Sequence, residues 1–182
     1  MNLTEKLVNL VHKIATGDIK TKILLTLVVG ILYLSLVAGF VLVAFIVDNV
    51  FYFPSLVSFP WGLVVAIPLF MLGFVLMLLS ILYFIKAKGT PVPFNPPQTL
   101  VEIGLYRYIR NPMLTGIFLQ MFGIGFYFHS ISSVFIFTPL FILLNYWELK
   151  NIEEPELEKR FGQEYRDYKK RTSMFFPKIN RL

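Results

Sequence analysis

Residues 98–116 read QTLVEIGLYRYIRNPMLTG, and their place in the chain decides what kind of fold this is. They form the one long polar and aromatic segment between two apolar runs, and the Arg110-Asn111-Pro112 turn inside them leads into the third run. Outward from this stretch the apolar runs fall at 23–47, 61–85, 113–128 and 131–147. The first two exceed the ~20 residues that a bilayer-spanning helix needs, and the last two sit at the short end of that range. Backbone groups in hydrocarbon must bond within their own segment, so the runs are expected to be helices. A chain with 56% hydrophobic residues is also too apolar for an ordinary soluble domain. The fold class that follows is all-α and integral to the membrane. Four transmembrane helices are expected, with an interfacial N-terminal helix and a cytosolic C-terminal helix.

Charge orients the spans. All 17 Lys and Arg lie before Ile23, between Lys86 and Arg110, or from Lys150 onward, and none lies in 48–60 or beside His129-Ser130. Four spans place those three basic regions on one side, which the positive-inside rule makes cytosolic, together with both termini. That side faces the cytosol from a plasma membrane in a prokaryote and from the endoplasmic reticulum in a eukaryote. The net charge of +6 is this bias plus attraction to anionic lipid heads, with no nucleic-acid partner implied. The first run is too long for a signal-peptide core and is treated as retained. The absence of cysteine excludes disulfides and thiolate chemistry.

One membrane-embedded domain is expected, in three parts. In residues 1–22, Leu3, Leu7, Leu10, Val11 and Ile14 share one helical face, as in a helix docked on the leaflet surface. Residues 23–97 form a two-helix scaffold, in which Gly30 and Gly39 allow a close helix approach, Pro68 predicts a kink, and Pro91, Pro93, Pro96 and Pro97 make a stiff linker. Residues 98–182 hold the site. There a short amphipathic helix is expected over 99–109, Pro112 opens the third span, and the third and fourth spans form a hairpin around 129–132. The fourth helix runs on through Glu148, Glu153 and Glu154 and bends at Pro155. A tail helix then carries Leu157, Phe161, Tyr165 and Tyr168 on one face and folds back over the site as a lid.

Two polar patches carry the chemistry. Arg110 is either an interface anchor or the keystone of a built turn that fixes the loop or holds a carboxylate, beside the free N–H groups that open the third helix. Glu153 and Glu154 are either solvated tail charges or a pair with one carboxylate turned inward to a cationic or hydroxyl-bearing ligand and the other turned to solvent. Tyr106 is either a packing residue or a ring laid beside a cofactor. His12 and His129 stand apart from both patches, and no metal-ligand spacing, Gly-rich phosphate loop or Ser/His/Asp arrangement is present. Gly123 and Gly125 are taken as helix-packing residues.

From Gln98 onward the chain resembles the isoprenylcysteine carboxyl methyltransferase family and its phospholipid methyltransferase relatives. The resemblance runs through the Q-T-L-V segment (Gln98, Thr99, Leu100, Val101), G-x-Y (Gly104, Tyr106), the R-N-P turn ending at Gly116, the acidic pair, and F-G-x-E-Y-x-x-Y from Phe161 to Tyr168. It implies transfer of a methyl group from S-adenosylmethionine to a lipid-like or other amphiphilic acceptor at the cytosolic membrane face. By the same resemblance the donor is held by Gln98, Thr99, Leu100, Val101, Gly104, Tyr106, Asn111, Pro112, Met113, Leu114 and Glu153. Glu153, Glu154 and Arg110 are then the candidate catalytic groups, and no metal takes part. Two positions depart from the pattern. Leu114 replaces the tyrosine of the turn, and Leu149 stands where prenylcysteine-methylating members carry an arginine, which argues against a prenylcysteine carboxylate as acceptor. An NADPH-dependent reductase of the sterol-reductase type, which shares a similar tail, and a non-catalytic membrane scaffold are the alternatives.

Overall fold

The computed structural model describes residues 3–87, Pro97 and 99–177, so Gln98 and most of the proline-rich linker lie outside the described residues. Helix α1 spans Leu3–Ala15, and the Asp18 side chain then caps α2, accepting from the backbone N–H groups of Lys20 and Thr21. Helices α2 (Ile19–Val50) and α3 (Trp61–Lys86) are each long and apolar enough to cross a bilayer. Leu24, Leu27, Ile31, Leu32 and Leu34 of α2 point outward and stay exposed, which in water would be a liability and in lipid is the resting state. Further on come α4 (Pro112–Tyr127), α5 (Thr138–Glu148), α6 (Glu154–Phe161) and α7 (Gln163–Arg171). Among the described residues the regular structure is helical, with one isolated parallel bridge between Ile109 and Ser173.

Helices α3 and α4 are packed backbone to backbone. A Cβ built on Gly73 would stand 2.5 Å from the Gly116 carbonyl oxygen, and one on Gly116 would stand 2.6 Å from that of Gly73. Gly123 backs onto the Ala66 carbonyl, and Gly125 onto Ser133 and Val134, so the expected packing role of this pair holds. Gly30 and Gly39 do not have that role, since nothing approaches either within 4 Å. Helix α2 makes its contact through Tyr33 and Phe40 against Phe141, with ring centroids 5.8 and 5.1 Å away, and large rings hold the backbones apart. Gly116→Ala should therefore destabilise the protein by about 1–3 kcal/mol through overpacking. Gly39→Ala should leave thermal unfolding in detergent unchanged.

The α4–α5 turn is capped from another helix. The Asp48 carboxylate accepts from the Ser130 hydroxyl and, at 3.0 Å, from the Ser132 backbone N–H. Twice the helical path widens into a π-turn just ahead of a proline, at Ser133–Phe137 before Pro139 and at Leu149–Glu153 before Pro155. Proline cannot donate to the carbonyl four residues back, and the wider turn takes bonds five residues apart, Thr138 to Ser133 and Glu154 to Leu149. The core then closes around Ile117, Phe118, Met121, Phe141, Leu149 and Phe175.

Two expected elements differ. The helix over 99–109 is only a 3-10 turn, Gly104–Arg107. Gly104 has φ of +59°, and the Tyr83 ring lies where its Cβ would be, so no α-helix passes through it. The single tail helix is broken in two at Gly162, whose φ is +58°.

Candidate functional site

The proline turn before α4 and the acidic exit of α5 meet. Arg110 Nη2 lies 2.6 Å from Glu154 Oε1, and Lys169 Nζ lies 2.6 Å from Glu154 Oε2. Arg110 also donates through Nη1 to the carbonyls of Thr172 and Lys169. The guanidinium thus ties the turn before α4 to α6 and to the chain after α7. The chain beyond α7 doubles back as a strap. Arg110 N–H donates to Ser173 (2.8 Å), Asn111 N–H to Met174 (3.1 Å), and the Thr115 hydroxyl to Asn111 and Phe175. The Tyr168 hydroxyl donates to the Tyr106 carbonyl at 2.7 Å. The tail thus covers the turn as a lid would, and the backbone donors of Arg110 and Asn111 are engaged by it.

The acidic run sorts itself by partner. Glu154 is buried and holds two cations. Its carboxylate faces Arg110 and Lys169, not solvent as the alternation of adjacent helical residues suggested. Glu156, also buried, takes His12 Nδ1 at 3.2 Å and Arg160 Nη2 at 3.5 Å on its two oxygens. Glu158 takes Lys169 at 3.1 Å. Half-buried Glu153 forms no hydrogen bond or ion pair with any described residue. Burial, with the added charge of Glu148 and Glu156, pushes its carboxyl up to about 8.

Tyr106 forms the neighbouring wall. It is buried edge-on to Phe84 (5.3 Å between ring centroids) and Tyr83 (6.4 Å). Burial holds its phenol protonated well above the usual range, and the Glu153 carboxylate adds to that shift, so the two groups lie within electrostatic reach. Of the other expected donor contacts, Val101 and Pro112 are buried, Leu100, Asn111, Met113 and Leu114 are half-buried, and Thr99 and Gly104 are exposed. Leu114 packs on the aromatic core, which accounts for an apolar residue at that position of the turn. Leu149 is 1% exposed in the same core.

Four participants escape a reading of the sequence: Lys169, Glu156, Arg160 and His12. His12 was placed away from both patches, yet α1 packs against α6 and brings it to Glu156. No local pattern signals a contact between residues 144 positions apart.

A carboxylate with no partner among the described residues, within electrostatic reach of a buried aromatic ring, suits a ligand that is cationic and bears hydroxyl or amino groups. It suits a phosphate-rich ligand poorly, because Arg110, Lys169 and Arg160 already stand on carboxylates. The chain is 25% identical over 141 residues to the methanethiol S-methyltransferase of Crocosphaera subtropica, covering 66% of this chain and 49% of that one. It is 27% identical over 101 residues to methanethiol S-methyltransferase 1 of Bradyrhizobium diazoefficiens, covering 52% and 30%. It therefore spans half or less of the length of these curated relatives. The structure of the eukaryotic intramembrane Ras methyltransferase, isoprenylcysteine carboxyl methyltransferase, shares the fold, with a TM-score of 0.56 and 24% identity over 81% of this chain and 53% of that one. This all-α membrane protein matches the phospholipid methyltransferase family over residues 61–164, more than half its length and through both patches, and it belongs to that family.

Proposed function

We propose that the protein transfers a methyl group from S-adenosylmethionine to a small or lipid-like acceptor that reaches the site from the bilayer. The chain then crosses the membrane four times, with α4 and the α5 path as the shorter spans and both termini in the cytosol. The observation that carries the reading is Glu153: in the acidic run 153–158 it is the carboxylate without a partner among the described residues, and it lies within electrostatic reach of Tyr106.

S-adenosylmethionine supplies a methyl group already activated by its sulfonium charge. The chain's own task is therefore orientation and exclusion of water. Glu153 anchors the donor through its positive or hydroxyl-bearing part, and Tyr106 walls the site. Asn111, Pro112, Met113 and Leu114 shape the floor, with Gln98, Thr99, Leu100, Val101 and Gly104 along the entry segment. Arg110 and Glu154 position this machinery without touching the reacting atoms, because each is engaged by the other and by the strap. Leu149, buried in the core, offers no charge to an acceptor's carboxylate. That favours a neutral nucleophile such as a thiol or an amine, and the names of the two curated relatives favour the thiol.

The test is a thermal-shift and calorimetric comparison of S-adenosylmethionine, its demethylated product and NADPH on the detergent-purified protein. The expected result is binding of the first two and not the third. Methyl transfer from labelled donor should then reach thiol or amine acceptors in preference to a prenylcysteine carboxylate. Binding of NADPH alone would replace this reading with the reductase, and binding of none of the three with a scaffold.

A further inference from the structure

Glu153, Glu156 and Arg160 are spaced i, i+3 and i+7, so one helical face presents a single guanidinium to two carboxylates. Arg160 goes to Glu156, with Nη2 3.5 Å from Oε2, while His12 takes the other oxygen at 3.2 Å. Glu156 is 1% exposed, so its carboxyl oxygens need partners, and Arg160 and His12 take one each. The guanidinium is not saturated by this arrangement. It lies over the Phe161 ring, 4.6 Å from the centroid, and its Nε is buried without an acceptor. An arginine in that state would also serve Glu153 if Glu156 released it.

We propose that Glu156 is a positioning residue: clamped by His12 of the N-terminal helix, it holds Arg160 off Glu153 and so leaves the donor-binding carboxylate free. The inference rests on Glu153 being the group that binds the methyl donor. It gives α1 a part in the site, since one of the two partners of Glu156 comes from that helix. The charges that act on Glu153 are Glu148 at the end of α5 and Glu154, Glu156 and Arg160 on α6, and the neutral phenols of Tyr106 in the 3-10 turn, Tyr165 on α7 and Tyr33 on α2 lie within its electrostatic reach. His12 of α1 acts on the set through Glu156. Among the described residues Arg160 is the cation that favours ionised Glu153, and it feels Glu156 more strongly than Glu153.

The experiment uses two readouts on the full chain in detergent. Dicyclohexylcarbodiimide reacts with protonated carboxyls in apolar surroundings, and its adduct on Glu153 is followed by mass spectrometry against pH. In the wild type the adduct should fade as pH rises past about 8. Glu156→Gln frees Arg160 for Glu153, and the fading should move down by about one pH unit. Arg160→Gln should move it up by about the same amount. S-adenosylmethionine affinity should fall about tenfold in Glu156→Gln and return when Arg160→Gln is added, since the competing cation is then gone. Loss of a nearby anion and loss of a nearby cation move Glu153 in opposite directions by charge alone, so the contest is read from the double variant: Glu156→Gln should move the fading less in the Arg160→Gln background than in wild type. An equal Glu156→Gln shift in both backgrounds, or donor affinity that does not return in the double variant, overturns the proposal. A smaller shift in the Arg160→Gln background with no donor binding in any form would support the contest for Arg160 and remove the methyl-donor reading instead.

Discussion

Arg110→Leu is expected to destabilise the protein by about 3–5 kcal/mol, because it leaves a buried carboxylate with half its compensation. Arg110 and Glu154 are only 10% and 4% exposed in their side chains, and the remaining partner, Lys169, is 37% exposed. The substitution also strips the carbonyls of Thr172 and Lys169 of their donor, so the strap along Ile109–Asn111 should loosen with it. Thermal unfolding in detergent measures the first effect, and limited proteolysis after α7 the second. Arg110→Lys should recover only part of the loss, since a point charge cannot serve two carbonyls and a carboxylate from one planar fork. Adding Glu154→Gln to Arg110→Leu should recover more, because the stranded charge is then gone. The more exposed Arg171–Glu102 pair is the contrast, and Glu102→Gln should change stability by under about 1 kcal/mol. Equal losses from Glu102→Gln and Arg110→Leu would show that burial does not set the strength of these pairs.

Glu153→Gln has the opposite signature. It should weaken S-adenosylmethionine binding by about 10- to 100-fold, the worth of one charge-assisted contact, while leaving the fold intact. In the wild type the carboxyl is raised to about 8, chiefly by burial. A cationic donor needs the ionised form, so affinity should climb with pH up to about 8 and then level, with one proton released per donor bound. The glutamine variant should bind weakly and without that slope. Stability of the free protein runs the other way. Below the ordinary carboxyl range both folded and unfolded chains hold the proton. As pH rises from there toward about 8 the unfolded chain gives it up first, and stability falls. The variant escapes that loss and should unfold later than wild type at pH 9. Binding by the variant equal to wild type across this range would remove Glu153 from the site.

Much of this protein was legible in one dimension because a bilayer makes strong local demands. The runs at 23–47 and 61–85 became α2 and α3 within a few residues, since an apolar stretch in hydrocarbon has few options besides a helix. Pro112 opened α4 as its missing N–H allows. The resemblance beginning at Gln98 led to the right family, and both its patches fell at one end of the bundle. Where backbone freedom was misjudged, a glycine was the reason. Gly104 and Gly162 each adopt a positive φ, which ended one expected helix and split another.

Sequence by itself determined the two long apolar helices, the proline turn, the acidic exit and the family, because each is written in contiguous residues with a local physical meaning. Only the tertiary structure decided which acid of that run has no partner among the described residues. Glu153, Glu154, Glu156 and Glu158 are chemically alike, and their roles follow from where Arg110, Lys169, Arg160 and His12 arrive. Of these, only Arg160 is a neighbour in sequence. The others are brought in by the strap, the break at Gly162 and the docking of α1. A buried charge takes whichever partner the packing delivers, and an order of residues does not specify that delivery.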